Sequence, residues 1–372
     1  MAGFLGAAGS FRHAVLQHDE DGQERELRQL RREFADAPDD DLQWGGSMLA
    51  DVLHSVPVGR AADVATVIGA CVERGADAAD CAEPVLFRAQ LAMEGAAEFC
   101  RRWPEREGDP YPEPMGEFPP SRLYWRLGGA DDPEARAAVL GWWNLPVWEA
   151  AVAAVLWDKE VRKALLPRKE FYEVARQVVA ITGRGTTMTR ALALLDDEPL
   201  VVIYRPSLQA FELKMSGIAD NFQLHTLLAD RLVSPGHIPG EPPSAETVEA
   251  CLGVDPGAPI QYAGSAWFHL VAPNGTSIPN DGCPNDIPVV DNHRLLILDP
   301  PPPDESWSVS VPFPDIAAEL TVERRLSEDG VKHWMACTEP AEVTYPEAPA
   351  DPAEAAESEK HHWWQRSPAH AE

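Results

Sequence analysis

The feature that most constrains this chain is a change of period near Leu200. Before it, apolar residues recur at helical spacing, as Leu27, Leu30 and Phe34 do within QERELRQLRREFADA. Similar text continues through GGSMLADVLHSV, GRAADVATVIGACVERGAD, EPVLFRAQLAMEGAAEFCRRW, DPEARAAVLGWW, PVWEAAVAAVLWDKEVRKALL and RKEFYEVARQVVAITG. Short helices of similar length in series imply a helical bundle or an irregular α-solenoid. After Leu200, PLVVIYRP is a β-branched apolar run, and QAFELKMSGI alternates Phe211, Leu213 and Met215 with Glu212, Lys214 and Ser216. Two such runs around Pro-Ser-Leu predict a hairpin.

Further strands are expected in SAWFHLVAPNGTSI, turning at Asn274-Gly275, and in IPVVDNHRLLILDP, turning at Asp291-Asn292. SWSVSVPF and AELTVERRL read as two more, and VKHWMACT as a final short element. The class is therefore α+β, with a helical N-terminal half followed by a strand-rich, mostly antiparallel part. The boundaries that follow are a flexible arm over 1–22, a helical domain over 23–196, an α+β domain over 197–338 and a disordered acidic tail over 339–372. The Pro- and Gly-rich stretch 104–122 reads as a long loop or linker.

Charge narrows the partners. Sixty Asp and Glu against 31 Lys and Arg leave a net charge of −29. Nucleic-acid binding rewards Lys and Arg that face phosphates, so direct binding through a broad basic surface is disfavoured. No uncharged apolar run reaches the length of a membrane span. The first residues lack a basic segment before their short apolar stretch, so they do not read as a signal peptide. A cytoplasmic location is the expectation, and abundant Ala, Gly, Pro and Arg suit a high-GC bacterial source. The six cysteines show no CxxC pair, which points to free thiols and to no structural metal site.

His225 is the first candidate catalytic residue. It sits in the helix expected within DNFQLHTLLADRLVSPG, where Asp220 and Gln223 have capping-box spacing and Ser234-Pro235-Gly236 ends the helix. It shares a face with Phe222, Leu228, Ala229 and Leu232. A buried neutral imidazole with one hydrogen bond accounts for that placement, while a helix start after a strand also suits ligand chemistry. The turn NDGCPND (280–286) offers Asp281 and Cys283, with His293 or His269 as the base a cysteine nucleophile needs; Asx-turn chemistry is the plainer reading. Tyr204, Arg205, Asp220 and His269 are candidate ligand-binding residues, with Arg205 facing an anion or pairing with Asp220. TGRGTTMTR (182–190) lacks a P-loop lysine and reads as a helix C-cap followed by an N-cap.

In the tail, His361, His362, Trp363 and Trp364 form HHWW, and the two adjacent tryptophans fit either anchors for a partner groove or docking on the chain's own domain. No catalytic motif of recognised spacing occurs, and the chain carries no family's motifs. The expected function is thus an acidic binding or scaffolding protein acting through protein–protein contacts. The alternative is an enzyme acting on a small molecule, with its pocket at the junction of the two domains. Cofactor, metal content and oligomeric state are left open by the sequence.

Overall fold

The computed structural model describes residues 3–103, 110–115, 118–165, 169–253, 263–302, 306–308, 312–313 and 316–339. Eleven helices among these residues precede the first strand: α1 (Phe4–Leu16), α2 (Glu20–Glu33), α3 (Asp39–Val52), α4 (Val58–Glu73), α5 (Ala78–Arg102), α6 (Ser121–Leu127), α7 (Pro133–Trp143), α8 (Leu145–Val155), α9 (Lys159–Leu165), α10 (Lys169–Thr182) and α11 (Thr186–Leu192). Side-chain caps start several of them. Asp19, Asp77 and Asp132 accept backbone N–H groups of Gly22, Ala79 and Glu134, which satisfies donors that a first helical turn leaves open. Asp158 caps α9 in the same way, splitting the single helix expected from PVWEAAVAAVLWDKEVRKALL in two.

The N-terminal arm expected over 1–22 is a correction. Its first part is α1, whose Phe4 and Phe11 are buried in the helical core. Small residues and a short apolar stripe hid a core helix in text that lacks long aliphatic periodicity. In the bundle centre, α5 and α7 cross with their backbones touching: a Cβ on Gly141 would lie 2.2 Å from the Ala92 carbonyl oxygen. The loop expected over 104–122 is partly strapped down. Phe99 stacks between Trp103 and Trp142, and those two indoles donate to the carbonyls of Pro110 and Pro112.

The later elements are β1 (Glu198–Tyr204), β2 (Gln209–Ser216), α12 (Asn221–Leu232), α13 (Ala245–Leu252), β3 (Ala263–Ser265), β4 (His269–Val271), β5 (Val289–Val290), β6 (His293–Asp299), β7 (Ser306–Ser308), β8 (Glu319–Arg325) and α14 (Glu328–Met335). The main sheet runs β4-β6-β1-β2-β8, with β5 on β6, and β3 pairs with β7 apart from it. Every described pairing is antiparallel except β1 with β6. The β1–β2 and β5–β6 turns fall at the expected places, with Leu208, Asp291 and Asn292 at positive φ. Such turns need left-handed residues to match the strand twist.

Both faces of the sheet are covered, which is why β1 is apolar almost throughout. Leu200, Val202, Phe211, Leu213 and Leu296 pack beneath α12; Val201, Ile203, Leu295 and Ile297 pack against Val331 and Trp334 of α14. A buried ion pair fixes α9 to the segment that leads into β1. Arg162 of α9 donates from Nε and Nη2 to the two carboxylate oxygens of Asp196 at 2.6 and 2.8 Å, and from Nη1 to the carbonyls of Leu156 and Trp157. Beside it, Lys159, Lys163 and Lys214 all reach Asp197. No single described helix is long and apolar enough to cross a membrane. Residues 340–372, including Trp363 and Trp364, lie outside the described residues.

Candidate functional site

The amphipathic pattern of α10 builds one wall of a cleft. Phe171, Ala175 and Val178 turn into the helical core. Lys169, Tyr172, Glu173 and Arg176 follow one another at i, i+3, i+4 and i+7, so they form a stripe on the opposite side. That stripe faces the strand-rich half across a cleft of about 780 Å³. Its floor is aliphatic, from Leu86, Leu156, Leu194 and Leu195, and its far wall is the turn carrying Gly282, Asn285 and Asp286. This size falls within the range of small-molecule sites, which typically combine an apolar body with few polar groups.

The far wall is held from several sides. Asn221, at the start of α12, donates from its backbone N–H to Gly282 and from Nδ2 to Pro279, both at 2.9 Å. Arg294 of β6 donates to the carbonyls of Asn285 and Ile287 and to Asn285 Oδ1. Asp286 Oδ2 accepts the backbone N–H of Cys283 at 3.2 Å and its thiol at 3.3 Å. A capping-box contact between Cys283 and Asp286, rather than an Asx-turn, therefore shapes NDGCPND, and the same turn lines the cleft.

Cys283 also meets Tyr172, with 3.9 Å between Sγ and the phenol oxygen. Burial, reinforced by Asp286, pushes the thiol up to about 12. Burial and the neighbouring thiol raise Tyr172 to about 12 as well. Both groups are protonated at neutral pH, whereas a nucleophilic cysteine needs its thiolate. The expected base is missing too. His293 lies edge-on to Trp334 on the α14 face of the sheet and contacts the Asp291 carbonyl through Nδ1. His269 pairs in register with Asp299, at the opposite end of β6 from His293. The proposed Cys283–His293 and Cys283–His269 pairings are thus corrected, and Asp281 is simply exposed on the turn.

His225 is fully buried under the sheet. Its Nε2 accepts the Phe268 backbone N–H at 2.9 Å, and burial lowers its pKa to about 3, so the ring is neutral at pH 7. It lies edge-on to Trp267 and tilted against Phe268, and does not line the junction cleft. The quiet core histidine is what the fold contains. Asp220 caps α12 by accepting the Gln223 N–H at 2.9 Å, while the Gln223 side chain accepts from Ala219 and donates to Cys251.

Two of the sequence candidates do converge elsewhere. Arg205 and His269 meet around Asp299, which the sequence reading missed, at the carboxyl end of the parallel β1–β6 pair, whereas Tyr204 packs on the α12 side, edge-on to Phe268. Arg205 pairs with Asp299 at 3.3 Å rather than with Asp220, because the Asp220 cap stands at the other end of the sheet's connections. Burial raises the Asp299 carboxyl, and Arg205 and His269 pull it back. This is an internally compensated charge cluster. Among the described residues no group of three or more His, Cys, Asp or Glu is arranged to hold a metal ion.

The residues that do line the cleft, Lys169, Tyr172, Glu173 and Arg176, escaped the sequence reading. Their signal was a polar stripe at helical spacing, which looks the same whether it faces water or a cleft. Compared with protein-family models, with curated proteins and with solved structures, the chain matches none.

Proposed function

We propose that this chain is a binding protein for a small molecule held in the cleft between its helical half and its sheet. The observation that carries the reading is the cleft itself: an aliphatic floor between the polar stripe of α10 and a turn fixed by Asn221 and Arg294. A rigid, mixed wall of this kind limits the ordering cost of a ligand. Recognition without covalent chemistry is favoured because the one cysteine at its rim is held as a thiol. The test uses the uncharged dye N-phenyl-1-naphthylamine, whose fluorescence rises on transfer to an apolar site. Saturable binding with one dye per chain is expected, with a loss of tenfold or more in Leu192→Trp, which puts an indole at the cleft wall. Equal binding to both proteins would overturn the reading.

A second reading, protein binding through the helical half, rests on a different surface. A groove of about 550 Å³ runs between α4, α5, α7 and α8, beside exposed Val58 and Leu91, with Glu94 and Arg88 in its lining and with Glu98 and Glu134 paired to Arg101 and Arg102. Exposed apolar anchors along a groove suit the apolar face of an amphipathic helix. Leu91→Glu is expected to weaken binding of a designed Leu/Lys helix by tenfold or more. Unchanged affinity would remove this reading.

A further inference from the structure

We propose that the ligand of the junction cleft is a small organic anion with an apolar body, its acidic group held between Lys169 and Arg176. The proposal rests on the cleft being a ligand site, and adds the ligand's chemical class.

Charge placement carries the argument. The chain is strongly acidic, yet between Asp158 and Arg176 it holds six Lys and Arg against four Asp and Glu. Lysine is scarce, with six in the chain, and four of them (Lys159, Lys163, Lys169 and Lys214) fall in the region where the two halves meet. Most of these cations have partners: Arg162 is closed on Asp196, and three lysines share Asp197. Lys169 and Arg176 differ. Among the described residues neither has an ion-pair partner, and both line the cleft. The Arg176 guanidinium stands 5.7 Å from the Tyr172 ring centroid, beside a phenol that remains a hydrogen-bond donor.

The long-range field points the same way. An anion nearing this protein is repelled over most of its surface; in the cleft it meets Lys169 and Arg176, two cations with no ion-pair partner among the described residues, beside the carboxylates of Glu173 and Asp286. The aliphatic floor adds the second half of the recognition, since Leu86, Leu156, Leu194 and Leu195 offer no polar partner and suit a hydrocarbon or aromatic body. Guanidinium and ammonium donors bind carboxylate, sulfonate and phosphate oxygens alike, so the shared chemistry is an oxyanion on an apolar body.

Glu173 is the discriminating residue. It lies between Lys169 and Arg176 on the same stripe. For an anion its carboxylate opposes binding; for a zwitterion it would hold the ligand's cation. Asp286, on the far wall, is a second carboxylate that opposes an anion, and its Oδ2 is fixed in place by two bonds from Cys283.

The experiment compares two dyes with the same aromatic body, 8-anilinonaphthalene-1-sulfonate and uncharged N-phenyl-1-naphthylamine, at low salt. In Lys169→Gln and Arg176→Gln the sulfonate dye is expected to bind about tenfold more weakly, with the neutral dye unchanged. Glu173→Gln is expected to tighten the sulfonate dye severalfold. These substitutions are at exposed helical positions, so the fold is retained and circular dichroism checks it. Weaker sulfonate binding in Glu173→Gln, or no effect of either cation, would overturn the anion assignment while neutral-dye binding left the cleft reading intact. Indifference of both dyes to Leu192→Trp would instead remove the cleft reading and this proposal with it. Oxyanion type is then resolved by competition with octanoate and with octyl phosphate: displacement by either at submillimolar concentration supports the proposal, and displacement by neither contradicts it.

Discussion

Replacing Asp196 by Ala is expected to cost about 3–5 kcal/mol of folding stability, measured by urea unfolding followed by circular dichroism. The Asp196 side chain is fully buried and Arg162 nearly so, and the two share bonds of 2.6 and 2.8 Å. Removing the carboxylate strands a guanidinium away from water, with only the Leu156 and Trp157 carbonyls left to it. A buried charge without its counter-ion is the expensive state, more so than the absence of the pair. The double variant Arg162→Met with Asp196→Leu is therefore expected to be more stable than Asp196→Ala alone. Because the pair ties α9 to the residue just before Asp197 and β1, its loss should also loosen the floor beside the cleft. A cost below about 1 kcal/mol would show that the pair does not anchor the segment leading into β1.

Trp142→Ala is expected to cost a similar amount, about 3–5 kcal/mol. The indole is nearly fully buried, stacks on Phe99 with centroids 5.3 Å apart, and contacts Tyr111. Its N–H donates to Pro112 at 2.9 Å, one of four hydrogen bonds among the described residues that fasten residues 110–115; the others are Trp103 to Pro110, Tyr111 to Cys100 and Arg184 to Glu113. Two readouts should move together: lower stability in urea, and faster proteolysis within residues 110–115. Trp142→Phe keeps much of the volume and loses the bond, so its cost should be nearer 1 kcal/mol. If the strap stayed protease-resistant in Trp142→Ala, the indole would not be what fastens it.

Much of the architecture was legible because it depends on period. The helical spacing of α2 to α5 and the alternation in β2 follow from burying one face of each element, and turn residues such as Asp291-Asn292 marked the hairpins. The parallel β1–β6 pair was not legible, since pairing between strands nearly ninety residues apart leaves no local mark. The first helix was missed because Phe4 and Phe11 are spaced by small residues, and its packing is set by α2 and α3. The same distinction governs the site. His225 and Cys283 drew attention by residue type, yet burial leaves one neutral and the other protonated. Lys169, Glu173 and Arg176 looked like a solvated helix face; only the tertiary arrangement turned that face into a cleft wall.

The most direct measurement of the central claim is hydrogen–deuterium exchange with and without saturating 8-anilinonaphthalene-1-sulfonate. Ligand in the junction cleft should slow exchange in α10, in residues 192–195 and in residues 279–286, the three segments that wall it. Protection confined to α4, α5 and α7, with those three segments unchanged, would contradict it.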